Sequence, residues 1–185
     1  MIDLSFNARR IRKKLAGYRP NLYRMAYSWC GDPSLADDLV QETIVKSLEK
    51  SGQLRDIDKF APWCYRILHN CWLSHLRNTK PNVELDEVVL TCEDCPEKHY
   101  RDMERGDVLR AAIAKLPQGQ RKVLMLIDLE GFSYREVADI LSIPVGTVMS
   151  RISRARAALE KSLAARRNAE HGIGDGGATI LRSIK

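Results

Sequence analysis

Apolar residues recur at three- and four-residue steps along nearly the whole chain, and alternating β-branched runs are few, which predicts an all-α protein. The spacing predicts a helix over Tyr18 to Trp29, closed at Gly31. A second helix opens at Asp32-Pro33-Ser34. Pro33 suits a first turn there, and Ser34 with Asp37 has the form of a capping box. Leu35, Leu39, Val40, Ile44 and Leu48 make its apolar stripe. Gly52 interrupts the pattern and a polar loop runs through Asp58. A longer helix then carries Phe60, Trp63, Ile67 and Cys71 until Lys80-Pro81 stops it.

Residues 82–106 lack a sustained apolar face, include Pro96, and read as a linker with room for a short helix. Beyond it, Val108, Leu109, Ala112, Ile113 and Leu116 mark a helix ended by Pro117, and Val123 to Leu129 mark another closed by Gly131. The Gly-rich stretch after His171 is expected to fray, and because it follows no strand it is not a dinucleotide-binding loop.

The most informative stretch begins at Ser133. Ser133-Tyr134-Arg135-Glu136 has the form of a capping box, so a helix should start at Tyr134 and turn Val137, Ala138, Ile140 and Leu141 toward a core. Ser142-Ile143-Pro144 supplies a tight turn, because Pro144 has no backbone N–H to continue the first helix. A second helix follows from Val145. At 100° per residue, Val148, Ile152, Ala155 and Leu159 fall on one side. Gly146, Ser150, Ser153, Arg154 and Ala157 fall opposite, flanked by Thr147 and Arg151. A small, basic outward face is what insertion into a DNA major groove needs: Gly146 and Ala157 permit close approach, and Arg154 can take a guanine bidentately. Thr147 and Arg151 suit phosphates. The plain alternative is a solvated helix in an ordinary bundle, but cap, short turn and small basic face are more specific together than singly.

Charge sharpens this picture. The formal net charge is +6, yet Asn82 to Asp107 holds nine acidic residues against three basic, leaving about +12 on the rest. Segregated positive charge suits a polyanion, since each neutralised phosphate releases counterions. The length of 185 residues with 44% hydrophobic content allows one domain or two small ones. No stretch approaches the roughly 18 apolar residues of a membrane span. Met1 to Lys14 mixes Asp3 with five basic residues instead of a secretory core, so a cytoplasmic protein without membrane insertion is expected. Of five cysteines, Cys30, Cys64 and Cys71 lie in apolar helical patterns, where free cysteine acts as a small hydrophobe. No nucleophile motif or metal-binding helix is visible, and catalysis is not expected.

Several strings add a resemblance. Asp37-Asp38-Leu39-Val40-Gln41-Glu42-Thr43 resembles the core-polymerase-binding helix of bacterial sigma factors of the extracytoplasmic-function (ECF) type, within the sigma-70 family. Trp63-Cys64-Tyr65-Arg66-Ile67-Leu68-His69-Asn70 resembles that family's promoter-melting segment. Pro144-Val145-Gly146-Thr147-Val148, with Ser150-Arg151 and Arg154-Ala155-Arg156, resembles its −35 recognition helix.

The resemblance implies a sigma-2-like domain at 1–81, a linker at 82–106, a sigma-4-like helix-turn-helix domain at 107–168 and a flexible tail at 169–185. It implies core RNA polymerase docking by Asp37, Asp38, Leu39, Gln41 and Glu42, −10 melting by Phe60, Trp63, His69, Asn70 and Arg77, and −35 reading by Gly146, Thr147, Met149, Ser150, Arg151, Ser153 and Arg154. An anti-sigma factor is the further partner it implies, with the free chain a monomer. The chemistry fits in part: aromatic faces and cations can trap unstacked bases, whereas Leu39, Phe60 and Trp63 lie on apolar stripes where core packing is the plain alternative. Ser74 stands where the family often has an acid, and Asn78 replaces a frequent arginine.

Two alternatives stay open. A helix-turn-helix repressor or activator would bind duplex DNA without polymerase, usually as a dimer on a palindrome. In the linker, Cys92-Glu93-Asp94-Cys95 with His99 offers three of the four positions of a zinc site or a thiol pair for redox sensing, against the reading of two inert cysteines. No fourth zinc ligand is evident, and no cofactor is otherwise expected.

Overall fold

A computed structural model describes residues 4–79 and 103–171, with side-chain surroundings for residues 9–79 and 109–164. All regular structure among the described residues is helical. Helix α1 spans Leu4–Cys30, α2 Pro33–Glu49 and α3 Phe60–Thr79, with short 3-10 turns at Ser51–Gln53 and Ile57–Lys59 before α3. The second half contains α4 (Met103–Ala114), α5 (Gln118–Leu124), α6 (Tyr134–Leu141) and α7 (Val145–His171); the chain continues from α5 into a wider π-type turn at Met125–Leu129.

Helix α1 is longer than the spacing from Tyr18 predicts. Pro20 lies inside the helix, where proline ordinarily costs about 3 kcal/mol. Burial offsets that cost: Ile11 and Leu15 extend the stripe of Leu22, Met25, Ala26 and Trp29 toward the N-terminus, all of them buried. The expected box at Ser34 is also corrected. The N-cap of α2 is Asp32, whose carboxylate accepts the Leu35 N–H at 2.7 Å, with Pro33 in the first turn. Gly31, at φ +72°, supplies the left-handed step that ends α1.

The helix-turn-helix forms as its local signals dictate. Ser133 and Glu136 make the reciprocal capping box, Ser142 closes α6 in the left-handed conformation, and Pro144 precedes the first residue of α7. Val148, Ile152 and Ala155 are buried against α6 and α5, as the 100° spacing predicts.

The two halves pack on each other, α3 against α6 and α1 against α5, which the reading as two domains with a linker does not predict. A single apolar cluster runs through both. The seam is polar as well as apolar. Gln118 Nε2 donates to the Trp29 carbonyl at 3.1 Å, and Arg121 Nη1 donates to the Ser28 carbonyl at 2.9 Å. Both acceptors belong to the last turn of α1, whose carbonyls have no partner within the helix and carry the negative end of its dipole. The second half therefore caps a helix of the first. Lys122 lies 5.4 Å from the Trp29 ring centre and 5.8 Å from that of Trp72. The Tyr65 and Phe132 rings meet edge to face at 5.5 Å.

Candidate nucleic-acid interface

The start of α7 exposes Gly146, Ser153, Arg154 and Ala157 of the predicted outward face, but not all of Ser150. Gly146, Met149, Ser153 and Arg154 are exposed, and nothing lies within 4 Å of where a Cβ on Gly146 would stand. Met149 is 53% exposed, an apolar side chain in water on a surface otherwise small and basic. In a major groove it would meet a thymine methyl. Ser150 is half-buried and donates to the Thr147 carbonyl at 3.0 Å, so its hydroxyl is tied to its own helix. Arg151 is half-buried too. Its guanidinium lies against Gly119 of α5, 3.1 Å from where a Cβ there would stand, which anchors the recognition helix to the domain. Arg156 is held by Asp128, with Nη2–Oδ1 2.6 Å and Nε–Oδ2 3.3 Å. That leaves Arg154, Ser153 and Met149 as the side chains projecting farthest from other duties.

On α3 the candidate melting residues divide. Trp63, Asn70 and Arg77 stand seven residues apart and form one row on the accessible side; Asn70 and Arg77 are exposed and Trp63 is half-buried. Phe60 and His69 lie off that row. Phe60 is 1% exposed, packed edge to face on Tyr18 at 5.5 Å with the Lys14 ammonium 5.6 Å from its ring centre. His69 is 5% exposed and faces the seam, edge to face with Trp29 at 5.9 Å. Burial, and then the Lys122 charge, push the His69 imidazolium down to about pKa 3, while the Ile140 backbone pulls weakly the other way. It is neutral here at any ordinary pH.

On α2, Asp37, Asp38 and Gln41 are exposed and Glu42 is half-exposed, whereas Leu39 is buried. Asp37 pairs with Arg19 at 3.2 Å and Glu42 with Lys46 at 2.6 Å, both near the surface, where such pairs add little stability. Sequence reasoning missed Val45. It is 54% exposed and shares a helix face with Asp38, Gln41 and Glu42, an apolar knob in an acidic rim. Its position outside the apolar stripe was the available signal.

Cys64, under Ser47, has its thiol pushed up to about 12 by burial, so it behaves as a core residue. Cys92, Cys95 and His99 lie outside the described residues, and among the described ones no cluster of metal-ligating side chains occurs. No helix among them is long and apolar enough to cross a membrane.

Comparison with known proteins bears on both surfaces. Sigma-70 region 2 matches residues 15–81, and sigma-70 region 4 matches residues 106–159. The ECF RNA polymerase sigma factor SigW of Bacillus subtilis is 32% identical over 158 residues, covering 79% of this chain and 84% of that protein. EcfG of Rhodopseudomonas palustris, also an ECF RNA polymerase sigma factor, is 34% identical over 156 residues, covering 83% and 84%. The chain belongs to the ECF sigma factor family. Solved structures share the fold. RpoE from Bartonella quintana, in complex with the anti-sigma factor NepR, aligns with a TM-score of 0.64 and 28% identity, covering 83% of this chain and 96% of that one. CnrH, in complex with the cytosolic domain of CnrY, aligns at 0.60 and 26%, covering 88% and 95%. In this ECF sigma factor, α1 to α3 fall in region 2 for most of their length, and α4 to the first half of α7 fall in region 4.

Proposed function

We propose that this ECF sigma factor binds core RNA polymerase in the cytoplasm and directs it to promoters whose −35 element is read by the start of α7. The observation that carries the reading is the exposed Gly146, Met149, Ser153 and Arg154 face on a correctly capped helix-turn-helix. It is joined to a second helical unit whose accessible row is Trp63, Asn70 and Arg77. In the division of labour we propose, residues 1–81 dock on polymerase and hold melted −10 DNA, 82–106 link, 107–168 read −35, and 169–185 form a tail. Thr147, Ser150 and Arg151 serve the −35 contact through backbone phosphates and helix placement. Phe60 and His69 support the −10 surface from beneath it. Asp37, Asp38, Gln41 and Glu42, seated on buried Leu39 and joined by Val45, form the polymerase-docking face. The role needs no catalytic residue. An anti-sigma factor regulates the monomeric chain in this reading, by analogy with the complex of RpoE and NepR.

Run-off transcription with bacterial core polymerase and a pool of promoter fragments tests it. Specific transcripts support the reading, and their start sites give the −10 and −35 sequences. Retained duplex binding with no transcripts and no co-elution with polymerase would sink it in favour of a repressor or activator. Arg154→Ala is expected to cost about 1–3 kcal/mol and relax specificity at one −35 position, while Arg151→Ala weakens every sequence alike. Competition binding across single-base variants of the site separates the two outcomes. Val45→Glu, which puts a carboxylate where an apolar knob would seat, is expected to weaken polymerase binding about tenfold or more in a titration with labelled core enzyme. Unchanged affinity would remove α2 from the interface.

A further inference from the structure

Helix α1 is 27 residues long, and it carries seven arginines and lysines and no acidic residue. At 100° per residue, Arg9, Lys13 and Gly17 form one row and Arg10 and Lys14 the adjacent one, opposite buried Ile11, Leu15 and Leu22. Arg10, Lys13, Lys14, Gly17 and Tyr18 line an open groove of about 570 Å³. Gly17, with nothing within 4 Å of a Cβ, leaves its floor bare. Like charges four residues apart destabilise a helix by a few tenths of a kcal/mol each, so this surface is not arranged for the helix's own benefit. Helix α2 packs alongside and holds acids, of which Asp37 pairs at 3.2 Å with Arg19, a residue outside the groove lining. Among the described residues, Arg9, Arg12 and Lys13 have no acidic partner.

We infer that the solvent-facing side of α1 is a phosphate-binding groove that holds the DNA backbone next to the melted part of the promoter. The inference rests on the sigma-factor reading for its location and on the charge pattern for its chemistry. Lys14 fixes the place: its ammonium donates to the Ile57 carbonyl at 3.3 Å and lies 5.6 Å from the Phe60 ring centre. The groove therefore opens at the N-terminal end of α3, where the Trp63, Asn70 and Arg77 row begins. A protein partner fits this face less well. Among the described residues, the exposed large apolar side chains lie elsewhere, at Val45, Leu109, Leu129, Tyr134, Val145 and Met149, so residues 9–30 of α1 offer no apolar anchor.

The test neutralises Arg9→Gln and Lys13→Gln together in the full chain, keeping helix-forming side chains at exposed positions. Binding to a fluorescent forked promoter duplex is titrated from 50 to 200 mM salt, for the chain alone and for the chain with core polymerase. Each lost phosphate contact lowers the slope of log affinity against log salt by about 0.7 on a single strand and about 0.9 on a duplex. The double variant is expected to lose about 1.4 to 1.8 of slope, so its affinity falls roughly tenfold less than the wild type's over that range. Affinity for polymerase without DNA should be unchanged. An unchanged slope overturns the inference, and so does a loss confined to polymerase affinity, which would place the groove against the enzyme. If the wild-type chain fails to bind polymerase at all, the sigma reading falls, and the slope measured on the chain alone still decides the groove.

Discussion

Arg121→Ala is expected to lower the melting temperature of the chain by about 6–12 °C, a loss of about 3 kcal/mol for a protein of this size. Arg121 is 3% exposed and donates three hydrogen bonds to backbone carbonyls: Ser28 at 2.9 Å, Ala114 at 2.8 Å and Leu116 at 3.0 Å. Ser28 is in the last turn of α1 and Ala114 ends α4, so one guanidinium sits between the negative ends of two helices. Truncation removes these charge-assisted bonds and leaves the carbonyls facing apolar walls. Each bond to a charged donor is worth about 1.5–3 kcal/mol; relaxation and water entering the opened seam keep the sum below simple addition. Arg121→Lys keeps the charge but not the fork, and should recover only part of the loss. Calorimetry gives the melting temperatures, and small-angle scattering tests whether the alanine variant's two halves separate. A melting temperature within 1–2 °C of wild type would show that the seam does not depend on this clasp.

The contrast between what was and was not legible follows from the range of the interactions. The helix-turn-helix was readable because its signals are local. Ser133 and Glu136 cap within one turn, Pro144 blocks continuation, and the buried stripe of α7 repeats over four residues. The outward face with Arg154 follows from the same spacing. At α2 two residues competed for one cap, and the choice fell to Asp32 because its carboxylate reaches the Leu35 N–H when Pro33 occupies the first turn. The chain continues α1 past the expected start at Tyr18 because burial of Ile11 and Leu15 outweighs the local cost of Pro20 inside the helix. The seam was least legible. Gln118, Gly119, Gln120, Arg121 and Lys122 precede the helix expected from Val123 and include no apolar side chain to signal a core, yet Gln118, Arg121 and Lys122 are buried. The carbonyls that accept from Gln118 and Arg121 lie 89 and 93 residues away in sequence. The same seam explains why His69, in the string that resembles a promoter-melting segment, stands off the exposed Trp63, Asn70 and Arg77 row.

Acidification is expected to loosen the seam through His69. Its folded pKa is about 3, well below the ordinary 6.5, chiefly because burial disfavours the imidazolium and next because Lys122 adds a like charge. The unfolded chain therefore binds a proton on this residue more readily than the folded one. The stability conferred by the neutral imidazole is fully present above about pH 6.5, falls as pH drops from there toward 3, and changes no further below that. Each unit within the window costs about 1.4 kcal/mol, so moving from pH 6.5 to 5 removes about 2 kcal/mol. Among the described residues no acid is placed to compensate: the ring meets Trp29 from α1, Lys122 from α5 and the Ile140 backbone from α6. Urea denaturation at pH 7.5 and 5.0 measures the loss, and His69→Leu supplies the comparison. Glu136, whose carboxyl is held below its usual range first by the Ser133 hydroxyl and then by the Ser133 backbone, titrates alike in both proteins and cancels in the difference. The leucine variant should be less sensitive to acid by about 2 kcal/mol over that interval. Equal losses in the two proteins would mean that His69 is reached by water and that the seam is already open in solution at neutral pH.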